Sequence, residues 1–162
     1  MDTQRRIAVF LADYDHQVSE ICRIFDILDE KKVVIEERPV ASEVLKSTGY
    51  WMHNLYSAFE DLFKLAAGFW ENDIGPEGEL HISVLRRMLV HIEGIRPALL
   101  SDESYGFLNE LRGFRHAFRH AYSYGLDEER VSFLLRRTLE RKRLLLNDLQ
   151  RFRAAVADMT NQ

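Results

Sequence analysis

The sequence predicts an all-α fold, a single-domain bundle of about five helices that covers residues 1–162. Apolar residues recur every three or four positions over long stretches, the spacing that gives a helix one buried face. The 162 residues include only eight glycines and three prolines, and no stretch has the apolar–polar alternation of a strand. A chain of this length can bury a hydrophobic core without disulfides.

The first two predicted helices are long and amphipathic. The first begins with Thr3 as its N-cap and ends near Glu30. The second covers about Glu43–Trp70, and Ser42 precedes it as a cap. Gly49 interrupts its apolar pattern, which indicates either a kink or a close contact with another helix.

Three further helices complete the predicted bundle. The third covers about Leu80–Glu93 and follows an acidic loop at residues 71–79. Ser101 is predicted to cap the fourth helix, and Gly125 is a suitable residue just past its C-terminal end. Asp127 then caps a long fifth helix that carries leucines along one side.

The composition indicates a cytoplasmic protein. The single cysteine, Cys22, cannot form an internal disulfide, which favours a reducing compartment. No apolar run approaches the ~20 residues that a membrane-spanning helix needs. Charged residues follow the N-terminus too soon for a secretory signal. We therefore expect no membrane association.

Positive charge is concentrated in the C-terminal part of an acidic chain. The net charge is −4, yet residues 1–111 carry 11 basic and 20 acidic groups, whereas residues 112–153 carry 11 basic and 5 acidic groups. This asymmetry favours an anionic partner for the C-terminal part. The alternative is that the basic groups of the last helix form a solvated face.

The eight residues R-H-A-F-R-H-A-Y, from Arg115 to Tyr122, contain two arginines, two histidines and a tyrosine. The acid-free stretch around them runs from Leu111 to Leu126 and adds Arg112. In an acidic protein, such a stretch indicates a site for a phosphodiester. Its candidate residues are Arg112, Arg115, His116, Arg119, His120 and Tyr122.

Arg115 and His120 have the identities that a metal-independent ribonuclease requires. A histidine that titrates near pH ~6.5 can take a proton from a ribose 2′-hydroxyl and return it to the leaving group. A guanidinium matches phosphate oxygens and can stabilise the charge that builds up at phosphorus. Arg112, His116 and Arg119 would supply further substrate contacts.

The helical geometry separates this pair. At ~100° per residue, five positions place Arg115 and His120 about 140° apart on an ideal helix, whereas Arg115 and Tyr122 share a face. A long arginine side chain, a distorted helix end or a second copy of the chain could bring the pair together. We favour a homodimer, because a two-fold axis would repeat the motif on both walls of one cleft.

Other chemistries fit the sequence less well. His116 and His120 are spaced as two metal ligands on a helix can be, but the nearby arginines would repel a cation. There is no nucleophile elbow and no Walker or Rossmann glycine pattern. We therefore expect no metal and no cofactor.

The residues Arg115, His120 and Tyr122 spell R-x4-H-x-Y, and this motif resembles that of the HEPN superfamily, most closely its HepT-like toxins. The resemblance extends to A-F-E-D-L-F-K on the second predicted helix and to H-I-S-V-L-R-R-M, G-I-R-P and L-R-G-F-R-H-A-F-R-H-A-Y further along. It covers most of the chain.

The resemblance implies a homodimeric, metal-independent endoribonuclease, the toxin of a type VII-like toxin–antitoxin pair, with Arg115 and His120 as catalytic residues. It also implies that an MntA-like nucleotidyltransferase antitoxin attaches AMP to Tyr122 and silences the toxin. Two alternatives remain open at this point. One is a non-catalytic HEPN subunit that binds a nucleotidyltransferase or a nucleotide, and the other is a helical interaction module.

Overall fold

The protein is an all-α bundle, as the sequence predicts. The computed structural model describes residues 2–37, 39–71, 80–121 and 125–161. The helices are α1 (Thr3–Glu36), α2 (Ser42–Trp70), α3 (Leu80–Arg87), α4 (Asp102–Ala121) and α5 (Glu128–Asp158), followed by a 3₁₀ turn, Met159–Asn161. No strand occurs within the described ranges, and none of their helices combines the length and apolarity that a membrane span requires.

Helices α1, α2 and α5 pack against one another and form the scaffold of the molecule. The ring of Phe10 on α1 lies 4.7 Å from that of Trp70 on α2, measured between centroids. The buried Tyr14 hydroxyl donates a hydrogen bond of 2.9 Å to the carbonyl of Leu149 and so connects α1 to α5. Helix α4 packs on α2 and α5, so the candidate site residues lie on a helix that rests on this scaffold.

Helix α1 is longer than predicted, whereas the bounds of α2 are predicted correctly to within one residue. The prediction that Ser42 caps α2 is wrong, because Ser42 is the first residue of the helix and Ala41 precedes it as N-cap without a side-chain hydrogen bond. Asp2, and not Thr3, caps α1, since the Asp2 side chain accepts a hydrogen bond from the amide of Gln4. The helix continues six residues past the predicted end at Glu30, as far as Glu36. Its last turns persist because Ile35 extends the apolar stripe and is buried.

Helix α3 ends at Arg87, which is earlier than the predicted end at Glu93. The fully buried guanidinium of Arg96 donates to the carbonyl oxygens of Arg87 and Val90, both at 3.0 Å. The same guanidinium forms an ion pair of 2.6 Å with Glu71, at the end of α2. The segment after α3 therefore folds around an arginine side chain and does not continue as a helix.

The predicted starts of α4 and α5 are confirmed. The hydroxyl of Ser101 accepts a hydrogen bond from the amide of Ser104, and the buried carboxylate of Asp148 in turn accepts from the amide and hydroxyl of Ser101, both at 2.8 Å. Asp127 accepts from two backbone amides in the first turn of α5. Gly125 has a φ of +89°, in the left-handed region that favours glycine.

Candidate functional site

Three arginines line the edge of α4 that runs beside α2. Arg112, Arg115 and Arg119 are separated by three and four residues, so they share one face of the helix. Arg112 and Arg115 are half-buried, whereas Arg119 is exposed. Arg112 donates two hydrogen bonds, of 3.1 and 3.0 Å, to the side chain of Asn109 one turn earlier. This face of α4 therefore carries three positive charges, and only the last of them, on Arg119, is exposed.

Arg115 is placed by contacts with α2. Its Nη1 lies 3.4 Å from a carboxylate oxygen of Glu60, and its guanidinium carbon lies 5.7 Å from the ring centroid of Tyr56. The Arg115 side chain is 18% exposed. Its Nε is buried and has no hydrogen-bond partner within the residues that the structure describes. A buried donor without a partner is costly, and the 18% of the side chain that is exposed is the part that a ligand can reach.

Glu60 is a buried carboxylate on the apolar side of α2, and its side chain is only 5% exposed. One of its oxygens faces Arg115, and the other lies 3.2 Å from the Nζ of Lys64, one helical turn later. Beside them, burial and the negative charge of Glu60 raise the pKa of Tyr56, so its hydroxyl stays protonated at physiological pH.

His53 belongs to the same group, one and two turns before Tyr56 and Glu60 on α2. Its ring is half-buried, with the centroid 6.4 Å from that of Phe118 on α4. Burial, and then the positive charges of Arg115 and Arg119, lower the pKa of His53 below the ordinary value of 6.5. His53 is therefore a neutral imidazole at neutral pH, next to two of the candidate arginines.

His116 and His120 contact each other on α4. Both are exposed, and their rings meet edge to face with centroids 4.6 Å apart. Among the described residues, Arg115 contacts Glu60 and Tyr56 of α2, whereas the ring of His120 contacts that of His116 on α4 itself. This arrangement agrees with the 140° offset expected on an ideal helix.

Gly49 allows the close approach of α2 and α4. A methyl group at this position would lie 2.6 Å from the Phe118 ring and 3.3 Å from Leu126. Of the two roles that the sequence suggests for Gly49, the structure supports the close helix contact. Because Phe118 is flanked by Arg115 and Arg119 on α4, this contact sets the distance of the arginine edge from α2.

A family model described as a HepT-like protein matches residues 47–156, more than half of the chain. The chain belongs to the HepT-like family. The resemblance in the sequence to HEPN-superfamily, HepT-like proteins is thereby confirmed, and the all-α architecture agrees with it. No curated protein and no solved structure matches the chain.

The segment of this HepT-like protein that matches the family contains both sides of the site. It includes most of α2, with His53, Tyr56 and Glu60, and the whole of α4, with Arg115 and His120. Tyr122 lies outside the described residues, so its predicted role in modification stays a prediction. Within the described ranges, no three histidine, cysteine, aspartate or glutamate side chains are grouped as metal ligands would be.

Sequence reasoning finds the α4 half of this HepT-like site and misses the α2 half. His53 and Tyr56 belong to no motif in the sequence. Glu60 and Lys64 lie in the stretch A-F-E-D-L-F-K, which resembles the family, but the sequence assigns them no chemical role. One signal is available, since Glu60 stands seven residues after His53 and four after Tyr56, in line with the apolar stripe of its helix. A charged residue in such a stripe indicates a buried partner on another element.

Proposed function

We propose that this protein is the toxin of a type VII-like toxin–antitoxin pair and that it acts as a metal-independent endoribonuclease. Family membership supports the broader statement that it is a HEPN-type, toxin-related protein. The observation that carries the ribonuclease proposal is how Arg115 is held. Contacts with Glu60 and Tyr56 fix its guanidinium at the border of α2 and α4, and part of its side chain remains exposed to a ligand.

In the proposed reaction, the 2′-hydroxyl of a ribose attacks the adjacent phosphorus. His120 takes the proton of that hydroxyl and delivers it to the 5′ oxygen that leaves, so the products are a 2′,3′-cyclic phosphate and a 5′-hydroxyl end. Arg115 donates hydrogen bonds to the phosphate oxygens and stabilises the charge that develops on them. No metal ion is needed for this proton and charge balance.

Arg112, His116 and Arg119 are proposed to bind neighbouring parts of the RNA. The two arginines lie one turn before and one turn after Arg115 on the same face of α4, a spacing that suits successive phosphates of a backbone. His116 is exposed beside His120 and contacts its ring. These side chains would hold the substrate without taking part in bond breaking.

Two copies of the chain are proposed to form the complete site. Within one described chain, Arg115 faces α2 and His120 does not. A homodimer related by a two-fold axis can place Arg115 of one copy opposite His120 of the other. The homodimer is thus the arrangement that best reconciles the proposed chemistry with the geometry of α4.

Regulation is proposed to act on Tyr122. An MntA-like nucleotidyltransferase would transfer AMP from ATP to the tyrosine oxygen and release pyrophosphate. The adduct would add a negative phosphate and a bulky nucleoside to a residue that follows Arg115 by seven positions in the sequence. Its phosphate is proposed to compete with RNA for the Arg115 guanidinium.

The direct test is RNA cleavage by the purified, unmodified protein in excess EDTA. Wild-type protein should cleave, and Arg115→Ala and His120→Ala should each lose about 100-fold or more of the rate. The control is His16→Ala, an exposed histidine on α1, which should leave the rate unchanged. Equal cleavage by wild type and His120→Ala would refute the proposal. Partner or nucleotide binding without any cleavage would instead identify a non-catalytic subunit.

A further inference from the structure

Glu60 is a charged group in a place where burial is costly. On α2 it follows the buried Phe59 and precedes the exposed Asp61, and its own side chain is 5% exposed. Transferring a carboxylate out of water is unfavourable, and a buried ion pair seldom adds net stability compared with an apolar pair of similar size. Stability alone therefore gives a poor account of Glu60, and its contacts indicate another role.

The two oxygens of Glu60 are each matched to a different cation. Oε1 lies 3.2 Å from Lys64 Nζ, and Oε2 lies 3.4 Å from Arg115 Nη1. Rotating the carboxylate would weaken both contacts at once, so Lys64 holds it in the orientation that faces Arg115. Lys64 is the more exposed partner, with 33% of its side chain accessible.

The Arg115 side chain is held on two sides by residues of α2. Glu60 contacts one terminal nitrogen, and the ring of Tyr56 faces the guanidinium carbon at 5.7 Å. A long arginine side chain has many rotamers, and fixing one of them in advance removes the cost of ordering it when a ligand binds. The exposed part of the Arg115 side chain, 18% of its surface, remains for a phosphate oxygen.

We propose that Glu60, braced by Lys64, is a positioning residue that holds the guanidinium of Arg115 in place for an RNA phosphate. This inference rests on the proposed function, because it gives Arg115 a phosphate to bind. Glu60 itself does not touch the substrate. The same contact could instead be inhibitory, if Glu60 occupied Arg115 and excluded the phosphate. In that case, removing the charge of Glu60 would increase RNA cleavage.

The test is a double-mutant cycle between Glu60→Gln and Arg115→Ala. Glu60→Gln keeps the shape of the side chain and removes its charge, and we expect kcat for RNA cleavage to fall about 10- to 100-fold while KM changes much less. In the Arg115→Ala background, the same substitution should change the rate less than about twofold. Asp61→Asn, the next residue on α2 and exposed, is the matched control and should be without effect.

A second variant and a second measurement complete the experiment. Lys64→Met removes the brace and leaves the Glu60–Arg115 contact, so it should lower kcat by a smaller factor of about 2–5. The same variants are also compared for binding of a 2′-O-methyl RNA oligonucleotide, which cannot be cleaved by 2′-hydroxyl attack. Thermal melting identifies any variant that fails to fold.

The outcomes separate this inference from the proposed function. Suppose first that the wild-type protein cleaves RNA. The role of Glu60 alone would then be overturned if Glu60→Gln cleaved at the same rate as Asp61→Asn or faster than wild type. It would also be overturned if Glu60→Gln lowered the rate by the same factor with and without Arg115. If the wild-type protein does not cleave RNA, but Glu60→Gln weakens oligonucleotide binding only when Arg115 is present, the proposed ribonuclease activity is refuted and the positioning role of Glu60 is supported. Absence of both cleavage and coupling would overturn both.

Discussion

At Arg115, three features meet on one side chain: a carboxylate contact, an aromatic face and partial exposure to solvent. The first two fix the guanidinium, and the third leaves part of the side chain accessible to a ligand. Residues that are already fixed by their neighbours lose little freedom when a substrate binds. This combination distinguishes Arg115 from the exposed Arg119 on the same face.

His53 provides a prediction at the residue scale. Because burial, Arg115 and Arg119 lower its pKa, replacing Arg119 with alanine should raise the His53 pKa back toward 6.5. An NMR titration of the His53 ring measures this shift. Arg136→Ala, which removes an exposed arginine of α5, is the control and should leave the titration unchanged. A His53 pKa that stays the same or falls in Arg119→Ala would contradict this description of the site.

The lowered pKa of His53 also affects stability. As the pH falls below 6.5, His53 of the unfolded chain takes up a proton before His53 of the folded protein does. The unfolded state then binds more protons, so the free energy of unfolding decreases as the pH falls through this range. Urea unfolding of wild type and His53→Gln at about pH 8 and about pH 5.5 should give a smaller decrease for the variant.

At the scale of elements, the contact between α2 and α4 depends on Gly49. We predict that Gly49→Ala forces the Phe118 ring and α2 apart, and that it lowers the free energy of unfolding by about 1–3 kcal/mol. Cleavage should fall as well, since Arg115 would move relative to Glu60. Chemical denaturation and the RNA assay measure the two effects.

Gly68→Ala is the matched control on the same helix. A methyl group there meets nothing within 4 Å, so the substitution should stabilise α2 by about 0.5–1 kcal/mol through its higher helix propensity. If Gly49→Ala were as stable as Gly68→Ala, the close helix approach would not be important for the fold.

The helices show what periodicity can and cannot predict. The apolar spacing predicts α2 to within one residue, and the capping residues Ser101 and Asp127 predict the starts of α4 and α5. The early end of α3 depends on Arg96, a side chain nine residues away, whose contacts with backbone carbonyls leave no local pattern. Helix ends that depend on tertiary contacts therefore cannot be predicted from the local sequence.

The same limit applies to the site. The α4 half is visible because its arginines and histidines are adjacent in the sequence. Glu60 and Arg115 are 55 residues apart, and their contact exists only because α2 and α4 pack together. The sequence therefore identifies candidate residues, whereas the structure identifies what holds one of them in place.

At the scale of the whole molecule, the geometry of α4 leads to a prediction about subunits. If the site combines Arg115 of one copy with His120 of another, mixing the inactive variants Arg115→Ala and His120→Ala should restore cleavage. Random exchange would produce one intact site in each mixed dimer, or about a quarter of wild-type activity. A mixture that exchanges subunits and remains inactive would place both residues in the same chain.

The chemical ends of the cleaved RNA test the central claim most directly. We propose 2′-hydroxyl attack assisted by Arg115 and His120, so in excess EDTA the wild-type products should carry a 2′,3′-cyclic phosphate and a 5′-hydroxyl. Mass spectrometry of a cleaved oligonucleotide identifies both ends, and neither product should form with His120→Ala. Products with a 3′-hydroxyl and a 5′-phosphate, or the same products from His120→Ala at the wild-type rate, would contradict the account.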